Sequence, residues 1–221
     1  TVMIWLSKFL PSAMFRDVAL FKTGSARAAA LWLLLALSLS ALPLIRARWP
    51  IRRAVLAGVA GFAGMVLETI LVLHYQMKNG ILYQDIGILL TGFMGGLALG
   101  ALAATKTDRR HLRALGIGML LGFVVLSAII GMAINSGRNS GLAEILVFLL
   151  LAGFLVAGVF AYASLHDAGD QRKVVNPLYS ADLLGGCLGS LAASLFLAPI
   201  AGLGATAHWM VPVALLSALL L

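Results

Sequence analysis

Residues 179 to 203 read YSADLLGGCLGSLAASLFLAPIAGL, an apolar run that holds one acid, Asp182, and a comb of small residues. About 20 residues at a rise of about 1.5 Å each cross a hydrocarbon core, so the stretch from Leu178 to Ile200 is long enough to span a bilayer. Gly185 and Gly189 are four apart, and Ser190 and Ala193 follow at helical spacing. One face is therefore flattened for contact with a neighbouring helix. Asn176 followed by Pro177 predicts the helix start, with the asparagine capping and the proline at a position where no amide donor is needed. Asp182 then lies about one turn in.

Composition extends that reading to the whole chain. Apolar residues make up 62% and charged residues 11%, against about 25% charge in soluble domains, and the mean hydropathy is +1.03. The sequence predicts an all-α, polytopic integral membrane bundle of six to seven transmembrane helices. The net charge of +8 does not signal nucleic acid, because the basic residues sit in short loops between apolar runs. The single Cys187 excludes an internal disulfide, a cysteine zinc cluster and a c-type haem motif, and reads as a small helix residue. The chain starts without methionine and stops inside an apolar run, which reads as part of a longer protein.

Residues 1–27 mix Trp5, Leu6, Phe9 and Phe15 with Lys8, Arg16 and Asp17, a pattern for an interfacial or connecting segment. The transmembrane domain covers 28–221. Its predicted spans are about 28–45, 54–75, 86–104, 114–134, 142–165, 178–200 and 205–221. The second opens with Gly58, Gly61 and Gly64, and the third carries Gly92, Gly96 and Gly100 at strict four-residue spacing, a packing seam. Arg46, Arg48, Arg52 and Arg53 fall in the loop after the first span. Lys106, Arg109, Arg110 and Arg113 follow the third, and Arg172 and Lys173 the fifth; the opposite loops offer Lys78 and Arg138. Excess basic charge marks the cytoplasmic side, so the expectation is a multi-pass protein of the inner (cytoplasmic) membrane with its basic loops in the cytoplasm. Lys8, Arg16, Lys22 and Arg27 dissent from this topology.

An ionisable residue inside a span is a functional candidate by default. Glu68 and Asp182 are the two acids so placed, the first nearer the outer face and the second nearer the cytoplasmic face, which argues against one shared site. Glu68 and Tyr75 are seven apart and share a helix face. His74, Tyr75, Gln76, Tyr83, Gln84 and Asp85 bracket the outer turn between the second and third spans. The substrate or ion-pathway candidates are thus Glu68, Tyr75, Gln76, Tyr83, Asp85, Tyr179 and Asp182, with the alternative that both acids are structural. Arg172, Lys173 or a backbone donor is the expected partner of Asp182. His74 and His208 end up on the same side and form a candidate pair for a b-type haem; otherwise no cofactor and no metal site is indicated. His111 and His166 read as solvated. GGCLG lacks the strand-to-helix context of a nucleotide loop, and no GxSxG, HExxH or GxGxxG motif occurs, so no catalytic residue is assigned.

GFAGMVLE (61–68), GFMGGLALG (92–100) and the 179–203 helix, in that order, resemble the membrane portion of spermidine-synthase-like transmembrane proteins, the fused transporter and spermidine synthase family. The resemblance covers roughly 61–203. It implies a multi-helix membrane module that elsewhere accompanies an aminopropyltransferase-like domain, which is absent from these residues, so polyamine synthesis is not assigned to them. Two function classes follow. One is a transporter-like or membrane-anchoring module for a polyamine-related or cationic small molecule. The other is a non-enzymatic scaffold subunit of a larger membrane complex, such as an electron-transfer assembly. The expected partners are the lipid bilayer and other membrane subunits or a fused soluble domain, with no nucleic acid.

Overall fold

A computed structural model describes residues 49–80, 83–106, 112–137, 141–165 and 171–218, with 49, 50, 112, 113 and 171–175 described by backbone alone. The segment 1–27, the expected span 28–45, His111, His166 and the loop arginines 46, 48, 109, 110 and 138 lie outside the described residues, as do the side chains of Arg113, Arg172 and Lys173.

The described chain is the all-helical bundle that its composition demands. Its helices are α1 (Trp49–Asn79), α2 (Tyr83–Thr105), α3 (Leu112–Asn135), α4 (Leu142–Leu165) and α5 (Gln171–Ala192). A π-helical turn (Ala193–Leu197) and the short α6 (Ala198–Ala201) continue α5, and α7 (Leu203–Ala218) follows. Five rods are long and apolar enough to cross a membrane: Ile51–Asn79, Tyr83–Thr105, Ala114–Asn135, Leu142–Leu165 and Asn176–Ala201. α7, at 16 residues, is a shorter apolar helix over the part described, where the sequence predicts a span from 205 to 221.

α1 and α4 form the centre. α5 lies along α1, α2 along α4, and α3 with α7 closes the remaining side. Leu67, Ile70, Leu149 and Ile130 are fully enclosed, whereas Leu184, Leu188, Met94, Leu102 and Val125 are exposed. Water would not tolerate such continuous apolar faces on three helices; lipid does.

The glycines fix which helices touch. Gly185 lies against the carbonyl of Gly58 and Gly189 against that of Phe62, so α5 runs parallel to α1 with backbones in contact. Gly96 meets the Leu150 carbonyl, Gly100 that of Phe154, and Gly153 returns the contact at Phe93, which makes α2 and α4 a second parallel pair. Both seams predicted from four-residue spacing are present. Without a hydrophobic drive between helices in lipid, this close packing is the main source of association. Gly116 lies under the Tyr162 ring and Gly158 under Met119, joining α3 to α4 in antiparallel fashion.

Three boundaries differ from the expectation. α1 begins at Trp49, so Arg52 and Arg53 are helical rather than loop residues. Arg53 is only 4% exposed. Its Nε donates to the Ala163 carbonyl at 2.5 Å and its Nη2 to the Ser164 carbonyl at 3.1 Å. Those carbonyls belong to the last turn of α4, where a helix leaves carbonyls without intrahelical partners and its dipole favours a cation. Second, α1 continues through the expected exit turn QMKNG to Asn79. It ends where Gly80 takes φ 85° and donates to the Gln76 carbonyl at 3.0 Å, a left-handed closure suited to glycine. Third, α5 starts at Gln171 and contains Pro177 inside it, so Asn176 does not cap and Asp182 lies three turns in. Proline forfeits one helical bond, a small loss this close to a helix end, where water can serve the freed carbonyl.

Candidate functional site

Gly61, Glu68 and Tyr75 recur every seven residues of α1. A heptad on a straight helix returns to nearly the same face, drifting about 20°, and climbs about 10 Å. Each position marks a polar station on the α1 face.

At the first station the missing side chain of Gly61 is filled by Asp182, whose Oδ1 and backbone carbonyl press against it. Asp182 therefore points into the bundle, as its spacing with the small residues predicts. Its Oδ1 is buried and has no hydrogen-bond partner among the described residues. The expected basic partners, Arg172 and Lys173, have side chains outside the description.

Glu68 is the second station. It is 5% exposed, and its Oε2 is buried with no hydrogen-bond partner among the described residues. Helical geometry sets it about 10 Å along α1 from the Asp182 contact. The two acids thus meet α1 about 10 Å apart along one stripe of the helix, an alignment that no single-helix pattern contains. Two carboxyl oxygens without donors in an apolar bundle are costly, on the order of several kcal/mol if charged, so neither stabilises the fold by its contacts.

At the third station the Tyr75 hydroxyl donates to Asp85 Oδ2 at 2.5 Å, joining the end of α1 to the start of α2. Asn79 Nδ2 adds a bond to the Tyr75 carbonyl at 3.3 Å, and Lys78 Nζ donates to the Gly137 carbonyl at 3.2 Å, tying the same end to α3. Of the polar cluster predicted here, Tyr75 and Asp85 are brought together. Gln76 is half-buried, and Tyr83 and Gln84 are exposed. Tyr179 is also exposed, at 57%, and lies off the stripe. Loss of the Tyr75 bond in Tyr75→Phe should lower stability by about 1 kcal/mol, as measured by thermal unfolding in detergent.

The two histidines have different neighbours. His208 Nδ1 is hydrogen-bonded to the Gly204 carbonyl of its own helix at 2.9 Å, and its ring packs over Gly131 of α3. His74 is buried, with Nε2 lacking a hydrogen-bond partner among the described residues, in electrostatic reach of Lys78 and of Glu144 on α4. No group of three or more potential metal-binding side chains occurs among the described residues. Cys187 is exposed on α5.

Two polar features were not anticipated from sequence. Ser127 is fully buried with no partner for its hydroxyl among the described residues, although a helical serine ordinarily bonds a carbonyl one turn back. The other is the π-helical turn within the sixth predicted span, for which Pro199 is the legible signal. No protein-family model, curated protein or solved structure matches the chain.

Proposed function

We propose that this bundle is a transporter-like membrane module for a small cationic molecule of the polyamine kind, placed in the inner membrane with the Arg53 end in the cytoplasm. The observation that carries the reading is a pair of carboxyl groups, Glu68 buried and Asp182 half-buried, each with a buried oxygen that no described protein donor satisfies. Positive charge arriving from outside the protein is what such groups are complementary to. The resemblance of segments 61–68, 92–100 and 179–203 to spermidine-synthase-like membrane proteins supports an amine as the cation, and the excess of basic residues at the Arg53 end supports the orientation.

Uptake of labelled spermidine into proteoliposomes tests this directly. Wild type should accumulate label, and Glu68→Gln, which keeps shape and removes charge, should fall to background. A second reading, a scaffold subunit of a larger membrane complex, is favoured by the backbone-to-backbone seams of α1 with α5 and α2 with α4. It predicts no uptake by either protein.

A further inference from the structure

The rod formed by α5 and α6 carries an irregularity at the depth of Glu68. The amide of Ala198 donates to the carbonyl of Ala193, five residues back, instead of to Ser194, four back. The next residue, Pro199, has no amide hydrogen. Neither residue that would ordinarily serve the Ser194 carbonyl therefore does so. Backbone acceptors left over in a membrane span are tolerated where they line a polar site, and π turns gather at functional positions.

The register places this turn. Gly189 of α5 lies on Phe62 of α1, and the two helices run parallel. Six residues further along each come Leu195, within the π turn, and Glu68; the turn itself touches α1. A carboxyl oxygen without a donor and a backbone carbonyl without its helical donor thus sit at one depth on two touching helices. Two acceptors with no hydrogen between them call for a cation. One carboxylate balances a single positive charge, and the other intramembrane acid, Asp182, is about 10 Å away along α1, so a divalent ion would leave net charge in the hydrocarbon.

We propose that the Glu68 carboxylate and the Ser194 carbonyl of the π turn form an intramembrane site for one monovalent cation. This rests on the cation reading of Glu68 given above. The chemistry suits a dehydrated alkali ion or a primary ammonium head equally, and broken helices in transporters use freed carbonyls in the same manner.

The purified protein in detergent is melted at constant ionic strength in sodium, potassium or methylammonium chloride, with choline chloride as the bulky reference. A saturable rise in Tm with one of the three small cations is expected for wild type and for Cys187→Ser, a change at an exposed position of α5, and none for Glu68→Gln. The arm that responds tells an alkali ion from an ammonium head. Pro199→Ala, which returns an amide to the helix and lets the Ser194 carbonyl be used internally, should stay folded and require about tenfold more cation for half-saturation. No cation effect beyond choline in wild type, or the same effect in Glu68→Gln, overturns the site; an unchanged half-saturation in Pro199→Ala removes the carbonyl from it. Because binding is read without flux, a protein that binds but does not transport is told apart from one that does neither.

Discussion

Replacing Arg53 by alanine is expected to destabilise the bundle by about 3 kcal/mol, the largest single loss among its polar residues. The guanidinium donates to the carbonyls of Ala163 and Ser164, and hydrogen bonds to charged groups contribute about 1.5 to 3 kcal/mol each. Removal also takes this donor from two carbonyls of the last α4 turn. Arg53→Lys should recover only part of the loss, since an ammonium on a flexible stem lacks the fork that reaches both oxygens. Reversible unfolding in mixed micelles measures both variants. An Arg53→Ala protein as stable as wild type would show the α1–α4 contact to be incidental.

The second large effect separates two adjacent glycines. A Cβ at Gly96 would run into the Leu150 carbonyl, whereas at Gly95 it meets nothing within 4 Å. Gly96→Ala must push the α2 and α4 backbones apart, a strain of about 1 to 3 kcal/mol. Gly95→Ala should be neutral or stabilise by up to about 1 kcal/mol, because alanine is the better helix former. Thermal unfolding of the two variants side by side checks the seam. Equal behaviour would mean that α2 and α4 do not pack as described.

These two cases also show what the sequence makes legible. Four-residue glycine spacing identified the seams at Gly96 and Gly185 because backbone approach in lipid needs a missing side chain, and that need is written in residue type alone. Arg53 was not legible in the same way. An arginine beside a proline and other arginines reads as loop, and only the arrival of the α4 end from 110 residues away turns it into a buried cap. Pro177 reads as a helix start, yet it lies inside a helix, since the rest of the span supplies enough helical bonding to carry one lost donor. For the acids, placement within apolar helices was readable from the sequence pattern. Their alignment on one stripe was not, because it depends on Asp182 filling the gap at Gly61, a contact between helices that no single-helix pattern contains.

On the reading proposed above, Glu68 is kept for a cation and not for the fold. The most direct measurement is the Tm of Glu68→Gln beside wild type in choline chloride, where no small cation stabilises either protein. The glutamine variant is expected to be at least as stable as wild type, because it removes a buried carboxylate whose Oε2 no described protein group satisfies. A clear loss of stability in Glu68→Gln would contradict it and show that the carboxylate holds a structural partner.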